Sequence, residues 1–530
     1  MKLHWVETCG EAIGANWLRA ALATSSPLGR RARERERAFV RGDETAARAR
    51  IAQVDQIARV VQGAVLARLR AILAATPDVG ATIVRARSGG TLGDVDFFEL
   101  VCFLDALETV ATSPDAETFG HALPRAEAAL RTKLAAGRTP PGSFYLDDSF
   151  DPELGAARAE AASRQAVYDA ARSRLRERIA RFAGVETIRD GEFVLMRERV
   201  TGPLPPEIHV LRETQTYLLC AVSLDEPALA AQATRDAAAA RVAEVEERVR
   251  GRLSADVAAS APALESARDA LGVLDLLVAR AQFAQQYACV VPEILEKPEA
   301  AFADARYLPL ALALERHGRR YAPISLELDG IGVVTGPNMG GKTAALRTLG
   351  FLVACVALGV PVPATSARLP LVDEIAWLGI GAAPEDDGLL SSFGAEVVAL
   401  RTFLGRELAL PLVLIDEFAR TTSPREGRAL LVALLETLRE RGALALAATH
   451  LAHVTPNGPV AQFAIGGLDE LPPRDGAPLD LEAALRRISL AMDYRLRRVA
   501  GDAQPPADAI ALADALGLDA GLIARAKEHM

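Results

Sequence analysis

Aromatic residues are scarce in this 530-residue sequence, at 5%, whereas hydrophobic residues reach 50%. So few aromatic side chains argue against a β-sandwich, and the abundance of Ala, Leu and Arg favours long helices. Cysteine is also rare, and no C-x-x-C pair occurs among Cys9, Cys102, Cys220, Cys289 and Cys355. The sequence therefore indicates neither a disulfide framework nor a zinc site, and it predicts buried thiols in a reducing compartment.

Long apolar runs and an excess of positive charge are missing as well. No charge-free stretch approaches the roughly 20 residues that a membrane span needs, and no N-terminal segment has the apolar core of a signal peptide. We therefore expect a cytoplasmic protein with no membrane partner. The net charge of −9 gives the chain no overall attraction for nucleic acid, so any DNA binding would need a local basic face.

A glycine-rich motif of the form G-x-x-x-x-G-K-[ST] occupies residues 336–343, between a predicted buried strand at 331–334 and a predicted apolar helix at 344–358. Backbone N–H groups of such a loop surround phosphate oxygens, and the helix N-terminus adds its positive dipole end. Lys342 is expected to contact the β- and γ-phosphates, and the Thr343 hydroxyl to bind Mg²⁺. The strand–loop–helix order therefore predicts a nucleotide site.

Two further apolar strands end in polar residues. Asp416 and Glu417 follow the first, and Thr449 and His450 follow the second. Because parallel strands place their carboxyl ends at one edge of a sheet, these side chains are expected near the nucleotide. Asp416 would complete the Mg²⁺ site, and Glu417 would orient or deprotonate the attacking water. His450 is a candidate for sensing the γ-phosphate or orienting the water, although a lone histidine is more often structural.

Four segments resemble motifs of the MutS family of DNA mismatch-repair ATPases. Residues 335–343, with Pro-Asn-Met inside the loop, resemble its Walker A motif, and residues 414–423 resemble its Walker B motif with the following loop. Residues 448–450 are similar to its switch strand, and residues 391–396 to its signature segment. The similarity is close over about residues 306–454, and it implies an enzyme that hydrolyses ATP with Mg²⁺ as its cofactor.

The resemblance also implies roles for single residues by their position. Ser391 is expected to act in trans, by reaching the nucleotide of the partner subunit, which implies a homodimer. Tyr321 is expected near the place where the family stacks an aromatic ring on adenine. The residues expected to line the phosphate loop are Gly336, Pro337, Asn338, Met339, Gly340, Gly341, Lys342 and Thr343.

Periodicity and the resemblance together predict a mixed α and α/β fold in four parts. A helical core is expected over residues 1–135, and a helical lever arm over 136–300 carries a β-hairpin clamp at about 187–223. A MutS-type P-loop ATPase domain follows over 301–460. The last part, 461–530, is similar to the helical tail that pairs the ATPase domains of the family.

The arm and the start of the α/β region have their own local patterns. Residues 153–182 and 228–286 have the pattern of long helices, and residues 193–196 and 216–220 that of strands. From Tyr307 onward the pattern becomes α/β.

The triplet Phe97-Phe98-Glu99 has the form of the Phe-x-Glu element with which mismatch-repair MutS proteins read a mispaired base. It begins an amphipathic helix that continues to residue 107, so we expect it to pack in a core instead. No mismatch-reading or connector domain fits before the helical core, and Thr421 stands where mismatch-repair members usually have glycine. These departures argue against mismatch recognition but not against ATP hydrolysis.

Two functions follow from the resemblance. The first is a dimeric DNA-binding clamp ATPase related to mismatch repair, with weak binding that is not sequence-specific. The alternative is a chaperone-like ATPase, because the chain also resembles MutS-related proteins encoded alongside cobalamin-dependent aminomutases and thought to reactivate them. An acidic chain suits a protein partner, so an aminomutase stays a candidate partner beside DNA.

Overall fold

The computed structural model describes most of the chain, namely residues 9–113, 128–139, 142–186, 188, 191–337, 341–379, 392–467, 488, 491–499 and 509–529. Internal contacts divide the chain into two compact units. The sheet unit comprises Met1–Ala75, Ser113–Ala122 and Leu271–Met530, and the arm unit comprises Thr76–Thr112 and Leu123–Ala270. No helix of the described residues is both long enough and apolar enough to cross a membrane.

Helices account for most of the secondary structure. In chain order they are α1 (Ala15–Ala21), α2 (Pro27–Arg35), α3 (Glu44–Val60), α4 (Gly63–Ala75), α5 (Gly80–Arg87), α6 (Asp94–Ala111), α7 (Ala128–Ala135), α8 (Pro152–Ala183), α9 (Glu226–Ala259), α10 (Ala261–Gln286), α11 (Leu308–Arg316), α12 (Lys342–Ala357), α13 (Ser392–Leu404), α14 (Pro424–Glu440), α15 (Ala509–Ala515) and α16 (Ala520–Glu528).

The strands are shorter and most of them lie in the sheet unit. In chain order they are β1 (Arg138–Thr139), β2 (Ser143–Phe144), β3 (Glu192–Met196), β4 (Ile208–Glu213), β5 (Tyr217–Val222), β6 (Glu293–Leu295), β7 (Glu299–Ala305), β8 (Ile324–Asp329), β9 (Ile331–Thr335), β10 (Ser366–Pro370), β11 (Ile375–Gly379), β12 (Leu412–Asp416), β13 (Leu444–Ala448), β14 (Ala461–Ile465) and β15 (Leu496–Val499).

The two longest helices of the arm unit, α8 and α9, pack against each other. Each begins at an aspartate, Asp151 or Asp225, whose side chain accepts a hydrogen bond from a backbone N–H of the first turn. Both helices also have a proline in that turn, where its missing N–H costs nothing. Ion pairs join the two helices, among them Arg158 to Glu246 at 2.8 Å. The long helices predicted at 153–182 and 228–286 are confirmed, with the second divided into α9 and α10.

An antiparallel sheet in the order β3-β5-β4 joins α8 to α9. Phe193 and Leu195 of β3 are buried with residues of α8, while their neighbours along the strand face outward. The prediction of a two-stranded hairpin is wrong, because β4 is a third strand. Its sequence lacks alternation: Ile208 is its one buried residue, and a bulge follows Val210.

Among the described residues, the sheet unit contains two sheets. The larger has the order β11-β12-β13-β9-β14-β15, in which the first five strands are parallel and β15 runs antiparallel to β14. Strands β9, β12 and β13 are buried along their whole length, as a parallel sheet covered on both faces requires. The smaller sheet has the order β6-β10-β7-β8. Since β6 and β7 precede Tyr307, the sheet-forming region begins earlier than predicted.

Helix α12 is apolar on almost every side and is buried along most of its length, with Arg347 exposed. A side chain at Gly350 would approach Ile13 and Leu414 to 2.7 Å each, so this glycine lets the helix lie between the N-terminal segment and the large sheet. Trp17 of α1 packs on Phe351, with ring centroids 6.1 Å apart. Residues 9–75 thus belong to the same compact unit as the large sheet.

The predicted mixed α and α/β fold is confirmed at this level, including a small β insertion in a helical region. The predicted helix that begins with Phe97 is α6. Phe97 is fully buried, with its ring 5.2 Å from that of Phe144, but Phe98 and Glu99 are only half-buried. The expected core packing therefore holds for Phe97 and is wrong for the triplet as a whole. Three cysteines are buried, while Cys102 and Cys289 are half-buried.

Candidate nucleotide site

The carboxyl ends of three neighbouring strands meet at one edge of the large sheet. Asp416 of β12 lies opposite Ala448 of β13, and Ala448 lies opposite Val334 of β9. The chain leaves β9 through Gly336 and enters α12 after Gly341, whose φ of 100° is on the side of the map that favours glycine. The N-terminus of α12 is thereby brought beside the acidic end of β12.

The Thr343 hydroxyl lies 3.1 Å from both carboxylate oxygens of Asp416 and donates to this carboxylate. Asp416 is 6% exposed, and burial raises its pKa against the opposing effect of the Thr343 hydrogen bond. A buried carboxylate beside a hydroxyl is the donor set that Mg²⁺ takes in nucleotide sites. Because a cation would offset the cost of burying this charge, the residues present fit Mg²⁺.

Lys342 precedes Thr343 as the first residue of α12 and is 5% exposed. Its ammonium donates to the carbonyl oxygens of Gly336 at 2.8 Å and Pro337 at 3.2 Å. Burial lowers the pKa of Lys342, and the nearby Glu417 and Asp416 oppose that effect. Because this buried ammonium donates to loop carbonyls, it can replace those hydrogen bonds with hydrogen bonds to phosphate oxygens when a nucleotide binds.

Glu417 follows β12 directly and points its carboxylate at the same loop. One oxygen lies 3.9 Å from the Lys342 ammonium and the other 3.6 Å from the Arg420 guanidinium. Its backbone N–H donates to the Ala448 carbonyl at 2.9 Å, and its φ is 53°. Sequence reasoning identified Glu417 but not Arg420, whose position three residues later carries no recognisable signal.

His450 lies two residues beyond the end of β13 and is exposed. The preceding Thr449 is buried and donates its backbone N–H to the Val334 carbonyl at 3.1 Å. That bond places the end of β13 against the strand that enters the phosphate loop. His450 is thus at the same edge of the sheet as Asp416, as the strand order predicts.

A cavity of about 220 Å³ opens beside the start of α12. Tyr321 lines it together with Gly341 and Ala344, and so does Tyr494 from the segment before β15. The Tyr321 hydroxyl accepts a hydrogen bond from the Tyr307 N–H at 3.0 Å, which fixes its ring. A cavity with two tyrosine rings next to a phosphate loop suits a nucleobase. Tyr494 is far along the chain from the motif, so no local signal could have found it.

Four residues expected in the site lie outside the described residues. They are Asn338, Met339 and Gly340 of the phosphate loop, and Ser391 of the signature segment.

Comparison with known proteins decides the family. Residues 332–462 match the family described as MutS domain V. An endonuclease MutS2 of Thermomicrobium roseum is 32% identical over 413 residues, which make up 75% of this chain and 49% of the relative. The chain belongs to the MutS family. The family inferred from the Walker motifs is thereby confirmed.

Other MutS-family relatives share the same region. An endonuclease MutS2 of Gemmatimonas aurantiaca is 34% identical over 277 residues, which make up 50% of this chain and 32% of the relative. A DNA mismatch repair protein MutS of Brevibacillus brevis is 30% identical over 220 residues, or 41% of this chain and 25% of the relative. The chain thus spans between a quarter and about half the length of these relatives.

Proposed function

We propose that this MutS-family chain binds ATP with Mg²⁺ and hydrolyses it at the edge of the large sheet. The observation that carries the proposal is the contact between the Thr343 hydroxyl and the buried Asp416 carboxylate, with the buried Lys342 ammonium on the same loop. These three groups supply one metal-binding pair and one phosphate-binding cation. Their order along the chain and their spatial proximity are what phosphoryl transfer needs.

Each residue has a distinct role in this proposal. Asp416 and Thr343 hold Mg²⁺, which neutralises charge on the phosphate oxygens. Lys342 contacts the β- and γ-phosphates, and Glu417 takes the proton of a water whose oxygen attacks the γ-phosphorus. The bond from that phosphorus to the bridging oxygen of ADP breaks, and phosphate leaves. His450 orients the water or senses the γ-phosphate, and Tyr321 and Tyr494 flank the base.

Replacing Lys342 tests the nucleotide site directly. A hydrogen bond to a charged group contributes about 1.5–3 kcal/mol, so Lys342→Ala should weaken ATP binding by roughly 10- to 150-fold. The measurement is a fluorescence titration with a labelled ATP analogue and Mg²⁺. Lys297→Ala serves as the matched control, because Lys297 is an exposed lysine of the same unit. Equal affinity in the two variants would contradict the assignment.

We further propose that the protein binds DNA weakly and without reading its sequence. The names of the relatives, endonuclease and DNA mismatch repair protein, support DNA as the partner. None of these names refers to an aminomutase, so the alternative function finds no support. Arg174 and Arg181, two turns apart on one side of α8, are both exposed and are the candidates for the local basic face that an acidic chain needs. Contacts from such side chains reach phosphates and carry no base information.

The DNA proposal is tested with matched and mismatched duplexes at two salt concentrations. Binding should fall steeply with salt, because phosphate contacts release counterions, and the two duplexes should bind alike. Arg174→Gln with Arg181→Gln should weaken binding. Arg425→Gln with Arg428→Gln, on the exposed face of α14, is the control and should not. A clear preference for the mismatched duplex would contradict the proposal.

We also propose a homodimer in which the 461–530 segment pairs two subunits. Leu518, between α15 and α16, and Leu522 of α16 are nearly half exposed, at 45% and 47%. Light scattering should therefore report twice the chain mass at micromolar concentration. Leu518→Glu with Leu522→Glu should shift it towards the monomer, because charged side chains oppose burial in an interface.

A further inference from the structure

The loop that follows β12 has an unusual backbone. Glu417 and Ala419 have φ values of 53° and 59°, although neither is a glycine. Residues with a Cβ rarely adopt this left-handed region, and they persist there only when neighbouring groups fix the conformation. The loop carries Glu417, so whatever fixes its backbone also sets the position of that carboxylate.

The side chains around Glu417 hold its carboxylate loosely. The distances to Lys342 and Arg420, 3.9 Å and 3.6 Å, exceed those of a hydrogen-bonded ion pair. On its N-terminal side the backbone is held by the bond from the Glu417 N–H to the Ala448 carbonyl. The position of the carboxylate therefore depends on what holds the C-terminal side of the loop.

Glu396 of α13 supplies that second attachment. Its carboxylate accepts a hydrogen bond from the Ala419 N–H at 2.9 Å. One turn earlier, Phe393 packs against the buried cluster that contains Phe418 and Ala419, so α13 is anchored beside the loop. An ionised acceptor for a backbone N–H makes a stronger bond than a neutral one. Phe418 and Ala419 are buried and Glu396 is half-buried, so this bond is partly shielded from water.

We propose that Glu396 is a positioning residue for hydrolysis: it holds the Ala419 N–H and thereby keeps the backbone of the loop in the conformation that presents Glu417 to the nucleotide. This inference rests on the proposed ATPase function. Glu396 does not touch the nucleotide in this account, so its removal should affect the chemical step and leave binding intact. A displacement of about 1 Å at a reacting group can cost roughly 100-fold in rate.

The test compares Glu396→Ala and Glu396→Gln with the unaltered protein. The alanine variant should lower kcat for ATP by roughly 100-fold and leave the affinity for a fluorescent ATP analogue within about twofold. The glutamine variant keeps a neutral acceptor, about half as strong, and should lose roughly tenfold or less. Glu436→Ala is the matched control, since Glu436 accepts the Asn457 N–H at 2.8 Å in the same unit but far along the chain from the loop. Its kcat should be unchanged.

The possible results distinguish a failure of the positioning role of Glu396 from a failure of the proposed ATPase function. If both Glu396 variants hydrolyse ATP within twofold of the unaltered protein, the positioning role is contradicted while the ATPase stands. Equal losses in the two variants, or a fall in affinity parallel to the fall in kcat, would also contradict it. Thermal unfolding shows whether each variant is folded. If the alanine variant is unfolded, the kcat of the near-isosteric glutamine variant tests the positioning role instead. An unaltered protein that neither binds nor hydrolyses ATP would refute the proposed function itself.

Discussion

Gly379, the last residue of β11, should tolerate no side chain. It lies opposite Asp416 on β12, its φ is 116°, and an added Cβ would be 1.9 Å from the Asp416 carbonyl oxygen. Real Cβ atoms essentially never approach another heavy atom closer than 3.0 Å, so the two strand ends would have to separate by about 1 Å. Asp416 carries the carboxylate that we assign to Mg²⁺, so separating the two strand ends would displace this proposed metal ligand.

The size of the effect follows from the two distortions. A backbone forced into a rare conformation costs about 1–3 kcal/mol, and overpacking costs about as much again, so Gly379→Ala should lower the free energy of unfolding by roughly 2–6 kcal/mol. A shift of about 1 Å in a catalytic group costs roughly 100-fold in rate. We therefore expect both a less stable protein and a kcat about 100-fold lower in the fraction that stays folded.

Urea unfolding and phosphate release measure the two effects on the same preparation. Gly442→Ala is the control, because Gly442 has a φ of 69° but its added Cβ would have only an ordinary contact at 3.7 Å. This control should lose about 1 kcal/mol of stability and keep its kcat. A Gly379→Ala protein with the stability and the rate of the unaltered protein would refute the strand geometry at the site.

Three further predictions address other parts of the molecule. Burial raises the pKa of Cys289 to about 12, so a thiol reagent at pH 8 should label Cys289 more slowly than Cys102, although both are half-buried. Mass spectrometry of the labelled peptides measures the two rates, and equal rates would contradict this prediction. Tyr494→Ala should weaken ATP binding in a fluorescence titration while Tyr494→Phe should not, because the ring and not the hydroxyl would contact the base. Equal ATP affinities of the alanine variant and the unaltered protein would show that Tyr494 is not part of the site. Mixing Lys342→Ala with Ser391→Ala subunits should restore part of the ATPase rate, since in a mixed dimer one nucleotide site would carry both substitutions and the other neither. A rate that stays at the level of the single variants would argue against action of Ser391 in trans.

Much of the sheet could be predicted because its strands are buried on both faces. The continuous apolar runs at β9, β12 and β13 are the direct consequence of that burial, and their order along the chain predicts that Asp416 and Glu417 lie near the start of α12, which carries Thr343. Strand β4 could not be found this way. Its single buried residue and its bulge remove the alternation on which strand prediction depends.

The contacts missing from the sequence prediction are those made between distant parts of the chain. Tyr494 enters the cavity because β15 pairs with β14, which in turn lies beside β9. Glu396 reaches Ala419 because α13 packs on the cluster under β12. The steric need for glycine at position 379 follows only from its register opposite Asp416. Residue spacing carries none of this information, since each contact depends on how elements pack.

Glu417→Gln is the sharpest test of whether this chain hydrolyses ATP with Glu417 as the base. The amide cannot take the proton of the attacking water but keeps the size of the side chain. We expect this variant to bind a fluorescent ATP analogue with Mg²⁺ as tightly as the unaltered protein. It should release phosphate at least about 100-fold more slowly, which is roughly the contribution of general base catalysis. A Glu417→Gln protein that releases phosphate at the rate of the unaltered protein would contradict this role of Glu417.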